Sequence, residues 1–173
     1  KDNTVVGTVM SNMGLERALK KAGCKLVKTN VGDRYVLEYM KEHGFNFGGE
    51  QSGHIIFLEH NTTGDGILTA LQLLGVMKRD DKPLSELAAG MRKYPQVLVN
   101  ARVSEQDKLR YQDDEVIQGE IRKIEAQFKE DGRVLIRPSG TEPVVRIMIE
   151  GTNQREIEEA AVRLAVLIEQ RLR

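Results

Sequence analysis

Tryptophan is absent, aromatic residues make up only 5% of the 173 positions, and there is one cysteine. A lone Cys24 excludes an internal disulfide, so no covalent staple supports the fold and stability must come from a buried core. Cys24 follows a helix end in Lys20-Lys21-Ala22-Gly23-Cys24-Lys25 with no histidine positioned beside it, which reads as a bystander thiol suited to a reducing cytoplasm. Net charge is lacking as well. Lys+Arg and Asp+Glu both number 26, whereas a nucleic-acid-binding domain shows a basic excess. No apolar run approaches a membrane span, and no signal-peptide pattern opens the chain. What remains is 40% hydrophobic and 30% charged, the balance of a soluble globular protein.

The apolar pattern falls into two regimes. In the first, short apolar runs alternate with helical spacings. Thr4 to Met10 reads as a buried strand, and Leu15, Ala18, Leu19 and Ala22 as a helix stopped by Gly23. Leu26 to Val31 reads as a strand, Tyr35 to His43 as a helix closed by Gly44, and Phe45 to Glu50 and Ile55 to Glu59 as two further strands. A helix over about 64–78 carries Ile67, Leu68, Leu71 and Leu74 on one face. Such alternation predicts an α/β domain with a mixed sheet over residues 1–91. Asp80-Asp81-Lys82-Pro83 breaks the chain, and a short helix is expected from Pro83-Leu84 through Met91.

From residue 95 to 173 the order changes to strand, helix, strand, strand, helix. Val97 to Val103 forms the first strand, and Ile117, Ile121, Ile124 and Phe128 mark a helix over Asp113 to Lys129. The last helix starts at Asn153, with Glu156 as its capping-box partner. This half predicts a small βαββα unit of α+β class, two helices packed on one sheet face.

Two loops carry polar chemistry. Arg137-Pro138-Ser139-Gly140-Thr141-Glu142-Pro143 joins the last two strands. A guanidinium fork, two hydroxyls and an approachable glycine amide suit a phosphate dianion, and consecutive N–H groups in a turn can form an anion-holding concavity. The same Pro, Ser and Gly are ordinary turn formers, so the loop alone also reads as a plain turn. Arg146 on the following strand is either a second cation or a side chain snorkelling from the sheet edge. Glu142 either orients an arginine or bonds a substrate amine.

The second loop is Gly48-Gly49-Glu50-Gln51-Ser52-Gly53-His54. Ionised Glu50 accepts, and Ser52 donates and accepts, which suits sugar hydroxyls. The glycines permit a tight turn and close ligand approach; the alternative is a glycine-rich hairpin with solvated polar tips. His54 shapes the loop or touches ligand. Asp33 and Arg34 occupy a strand-to-helix turn, a usual ligand position in open α/β sheets, unless Asp33 caps the helix. Thr62-Thr63-Gly64-Asp65-Gly66 is expected to cap the helix after it, and one carboxylate there is no metal site. His43 and His60 read as surface residues.

Taken in order, the Gly-Glu-Gln-Ser-Gly-His and Arg-Pro-Ser-Gly-Thr-Glu-Pro loops resemble the α-D-phosphohexomutase superfamily. Val31-Gly32-Asp33-Arg34-Tyr35-Val36 and Thr62-Thr63-Gly64-Asp65-Gly66 resemble its phosphoglucosamine mutase branch. The likeness runs from Thr4-Val5-Val6-Gly7-Thr8 to the last helix. It implies that residues 1–91 correspond to the third of four family domains, lacking its first element, and residues 95–173 to the fourth. It further implies sugar contacts at Glu50, Ser52, His54, Asp33 and Arg34, and phosphate contacts at Arg137, Ser139, Gly140 and Thr141, with Arg146 beside them.

The family's phosphoserine loop, of Ser-His-Asn type, and its magnesium loop, of Asp-Gly-Asp-x-Asp-Arg type, have no counterpart in this sequence. The resemblance therefore implies the C-terminal portion of a longer cytoplasmic enzyme, inactive by itself, with Mg2+ held by its other domains. The intact enzyme would interconvert glucosamine 6-phosphate and glucosamine 1-phosphate through a phosphoserine and a bisphosphate, supplying cell-wall (peptidoglycan) precursors. Implied partners are the hexosamine phosphate and the N-terminal domains, with a homodimer left open and neither nucleic acid nor membrane expected. The alternatives are phosphomannomutase or phosphoglucomutase specificity, and a standalone sugar-phosphate-binding module.

Overall fold

β-Branched residues set the first strand, β1 (Thr4–Thr8), in extended conformation. The computed structural model describes residues 2–172 and separates into two units, Lys1–Lys93 and Tyr94–Arg173. In the first unit β1 pairs in parallel with β2 (Lys25–Thr29) and with β3 (Phe47–Gly49), and β3 pairs antiparallel with β4 (Ile55–Phe57). The resulting order is β2-β1-β3-β4, a mixed sheet. Helices α1 (Met13–Lys21) and α2 (Asp33–His43) make the crossovers that parallel pairing requires. Val6, Val36, Met40 and Ile56 form the buried centre, with Leu37, Tyr39, Phe45 and Leu58 packed around it.

Gly48 decides how closely these layers meet. A Cβ there would lie 2.8 Å from the Val6 carbonyl oxygen and 2.7 Å from the Met40 sulfur, too close for either to stay in place. β3 and β4 are three residues each, shorter than the apolar runs suggest. The chain leaves the sheet at Glu50, where the loop takes over its hydrogen bonds.

Helix α3 (Gly66–Asp80) is capped by Asp65, whose Oδ1 accepts from the Leu68 N–H at 2.9 Å. The apolar stripe expected on this helix exists, but it faces away from the unit. Ile67 is 79% exposed, Leu71 61% and Leu74 57%. α3 meets the unit through β4, and Leu68, Thr69, Gln72, Val76 and Met77 are its half-buried side chains. α4 (Leu84–Ala88) ends before the expected Met91.

The second unit is an antiparallel sheet of β5 (Gln96–Arg102), β6 (Arg133–Pro138) and β7 (Val144–Glu150) in the order β5-β7-β6. Alternation along β7 sends Val145, Ile147 and Ile149 into a core with α5 (Glu115–Phe128) and α6 (Gln154–Arg171). Arg146, Met148 and Glu150 take the opposite face. Ile117, Ile121, Ile124 and Phe128 of α5 are buried as their spacing predicts, and α6 contributes Ile157, Ala160, Ala161, Leu164, Ala165 and Ile168.

Asn153 caps α6 by accepting from the Arg155 N–H, and its amide donates to Glu156, so the capping box closes through side chains. Asp114 caps α5 by accepting from the Val116 and Ile117 N–H groups, and it accepts from Arg171 of α6 at 2.7 Å. A 3₁₀ turn at Arg110–Gln112, which periodicity does not reveal, buries Tyr111.

Gly48→Ala is expected to cost about 1–3 kcal/mol of folding stability through overpacking, read by denaturant unfolding. The Ile117 N–H above all, with Arg171 and Val116 assisting against the desolvation that opposes them, holds Asp114 below the usual carboxylate range. A carboxylate with a lowered folded value contributes stability that is complete above its unfolded value and is lost as pH falls through the folded one. Asp114→Ala is therefore expected to lower the unfolding midpoint at neutral pH, and the gap to the parent protein to narrow as pH falls from the unfolded carboxylate range through the lower folded value.

Candidate functional site

In the second unit the β6–β7 register places Arg137 directly opposite Arg146. Directly opposite residues share a sheet face with Cβ atoms about 5 Å apart, and like charges there repel. Arg137 has no ion-pair partner among the described residues. Burial first, and the facing Arg146 second, hold its guanidinium below the usual arginine range. Arg146 is oriented by Glu142, whose Oε2 accepts from Nη2 at 2.6 Å. Of the two roles open to Glu142, orienting an arginine is the one that this geometry displays. Among the described residues, Arg146 Nε is a buried donor with no acceptor.

The loop between these strands is closed from within. The Ser139 N–H donates to the Val144 carbonyl at 2.9 Å, and the Val144 N–H donates to the Glu142 carbonyl at 2.8 Å. Ser139 is only 3% exposed. Its Oγ accepts from the Glu142 N–H at 3.2 Å and the Thr141 N–H at 3.5 Å. The hydroxyl thus first serves the turn, which is the local chemistry serine favours. Gly140 and Thr141 are exposed at the tip. A Cβ at Gly140 would meet nothing within 4 Å, and the Gly140 N–H donates to no described residue. The turn's own packing does not call for glycine here.

Lys108, which sequence patterns did not single out, lies under this loop. It is 8% exposed and donates to the Ser139 carbonyl at 2.8 Å and the Glu142 carbonyl at 3.4 Å. No periodicity marks it, because it sits in an irregular, charge-rich segment between β5 and α5.

In the first unit, the Glu50 N–H donates to the His54 carbonyl at 2.8 Å and the Gly53 N–H to the Glu50 carbonyl at 3.1 Å. The turn is completed by Gly53 at φ +96°, a conformation open to glycine at little cost. Glu50 Oε1 accepts from the Gly32 N–H at 2.9 Å. That bond ties the 48–54 loop to the turn bearing Asp33 and Arg34. Ser52 and His54 are exposed side by side, with Ser52 Oγ and His54 Nδ1 3.4 Å apart. His54 packs so closely on Gly64 that a Cβ there would sit 2.9 Å from its ring.

Gly32, not Asp33, holds the α2 N-cap position, and the Asp33 carboxylate accepts from the Arg34 N–H at 2.8 Å. Arg34 is exposed and pairs with Glu38. Asp33, Glu50, Ser52 and His54 therefore gather as acceptors and donors at one end of the unit, while Arg34 turns along its own helix. His43 stacks on Tyr39, ring centres 3.9 Å apart. Among the described residues no group of three or more His, Cys, Asp or Glu is placed to hold a metal, and no helix is long and apolar enough to cross a membrane.

Residues 1–94 match the family profile "Phosphoglucomutase/phosphomannomutase, alpha/beta/alpha domain III", and residues 98–167 match the profile of the same family's C-terminal domain. Curated relatives named phosphoglucosamine mutase are 62% identical in Alkaliphilus metalliredigens and 60% identical in Acetivibrio thermocellus. They align over 98% and 99% of this chain, which spans 38% of their length. Among solved structures, N-acetylphosphoglucosamine mutase of Aspergillus fumigatus superposes with a TM-score of 0.82 at 21% identity, over 98% of this chain and 38% of that one. A structure of the Aspergillus protein in complex with GlcNAc-6P and magnesium gives 0.78, over 98% of this chain and 39% of that one. The chain belongs to the phosphoglucomutase/phosphomannomutase family, from which it carries domain III and the C-terminal domain.

Proposed function

We propose that the Arg137–Arg146 site binds the phosphate group of a hexose phosphate. The observation that carries this reading is the like-charge pair: two guanidiniums face each other across β6 and β7, and Arg137 has no carboxylate among the described residues to neutralise it. A dianion between them turns a repulsion into two charge-assisted contacts. The Gly140 N–H adds a neutral donor at a position where the absent Cβ leaves room for ligand. Ser139 and Thr141 complete the loop, Ser139 chiefly by shaping it. In the first unit, Glu50, Ser52, His54 and Asp33 supply the mixed acceptors and donors that sugar hydroxyls need, with Arg34 at their margin.

The relatives named phosphoglucosamine mutase direct the choice of sugar to glucosamine phosphate. We propose that the whole protein interconverts glucosamine 6-phosphate and glucosamine 1-phosphate. A phosphoserine would give its phosphoryl group to the sugar, forming a bisphosphate; the bisphosphate would reorient, and its other phosphoryl group would return to the serine. The phosphoserine and the magnesium would belong to parts of the protein outside these residues. This chain contributes positioning, the main requirement of phosphoryl transfer besides charge stabilisation.

Arg137→Gln is expected to weaken binding of glucosamine 6-phosphate and glucosamine 1-phosphate alike by about 1.5–3 kcal/mol, the worth of a charge-assisted hydrogen-bonding contact. Its unfolding midpoint without ligand should stay level or rise, because the repulsion with Arg146 is gone. Titration of both sugar phosphates checks this, and an effect on one isomer alone would defeat the shared phosphate site. The chain by itself, given magnesium and hexose bisphosphate, should show no mutase turnover; measurable turnover would place the phosphoryl carrier within it.

A further inference from the structure

The outward face of the 137–143 loop has an inward cause. Ser139 and Glu142 both present their carbonyl oxygens to Lys108 Nζ, at 2.8 and 3.4 Å, and the same ammonium pairs with Glu105. An ammonium has three donors, and these acceptors use all of them. Lys108 therefore has no donor left for a ligand: Glu105 balances its charge, and its other two donors hold the loop.

The neighbouring contacts follow the same line. The Val103 N–H donates to the Pro143 carbonyl at 3.0 Å, and the Tyr111 hydroxyl donates to the Ile136 carbonyl at 3.3 Å, one residue before Arg137. Residues 103–111 thus bond the chain just before the loop, within it and at its end. Lys108 is the only charged donor among these three.

The consequence lies in peptide geometry. A trans peptide is planar, and its C=O and N–H point in opposite directions. The Ser139 carbonyl and the Gly140 N–H belong to one peptide. When Lys108 draws that carbonyl inward, the Gly140 N–H must point outward, where it has no partner among the described residues. We infer that Lys108 is the positioning residue of the anion loop: its buried ammonium sets the Ser139–Gly140 peptide so that the Gly140 N–H faces an incoming phosphate. This inference rests on the phosphate reading of the loop.

The test uses the 173-residue chain, inorganic phosphate as the probe, and NMR detection of the Gly140 and Thr141 amides. Lys108→Met keeps the length of the side chain and removes its donors. It is expected to shift the Gly140 amide resonance in the free protein and to raise the phosphate dissociation constant about tenfold or more, the scale of a charge-assisted hydrogen bond. Lys123→Met, on the exposed side of α5, removes the same charge elsewhere and should leave both readouts near those of the parent.

Lys108→Arg retains the charge but replaces a point donor by a planar fork. It should fall between parent and Lys108→Met, and it carries the test should the methionine variant not fold. Parent-like phosphate binding and amide shift in Lys108→Met, or an equal loss in Lys123→Met, would overturn the inference while leaving the phosphate site intact. Failure of the parent itself to bind phosphate would remove the phosphate reading, and the positioning role with it.

Discussion

The second unit is organised around a repulsion. Antiparallel pairing of β6 with β7 sets Arg137 against Arg146, and nothing in the sheet itself benefits from two facing cations. The pairing is held by the other side of the same strands. Ile136, Ile147 and Ile149 pack against α5 and α6, and a one-residue slip would expose that entire set. The register that buries the isoleucines also forces the arginines together. Glu142 restrains one of them, leaving Arg137 as the cation with unmet need. A side chain on a strand end backed by a packed core is held more rigidly than one on a free loop.

The first unit reaches a comparable end by close approach. Gly48 lets β3 lie against Val6 and Met40, which fixes where the following loop leaves the sheet. From there the Gly53 turn and the Gly32–Glu50 bond bring Asp33, Glu50, Ser52 and His54 to one end of the unit. Glu50 gives one carboxylate oxygen to that bond, while the side chains of Ser52 and His54 stay exposed.

Much of the fold was legible because local periodicity and capping are written in adjacent residues. The α5 stripe at Ile117, Ile121, Ile124 and Phe128 is buried as spaced, and Asp65 and Asn153 cap helices in the stretches expected to do so, whereas α5, expected from Asp113, starts at Glu115 behind its cap Asp114. The α3 stripe shows the limit of that logic. Ile67, Leu71 and Leu74 have helical spacing but lie exposed, because periodicity identifies a face without identifying its partner. Asp33 shows another limit: a good capping residue stands beside the cap position, which Gly32 occupies. Lys108 left no sequence signal, since a buried lysine in an irregular segment has neither period nor motif around it.

Residue order alone determined most of the elements and the two polar loops, because propensity and turn chemistry are properties of neighbouring residues. Pairing between distant segments decided the rest. Only the tertiary structure sets Arg137 against Arg146, ties Glu50 to Gly32 and slides Lys108 beneath Ser139. Those contacts join residues 9, 18 and 31 positions apart, and strand register and core packing, not local preference, bring such residues together.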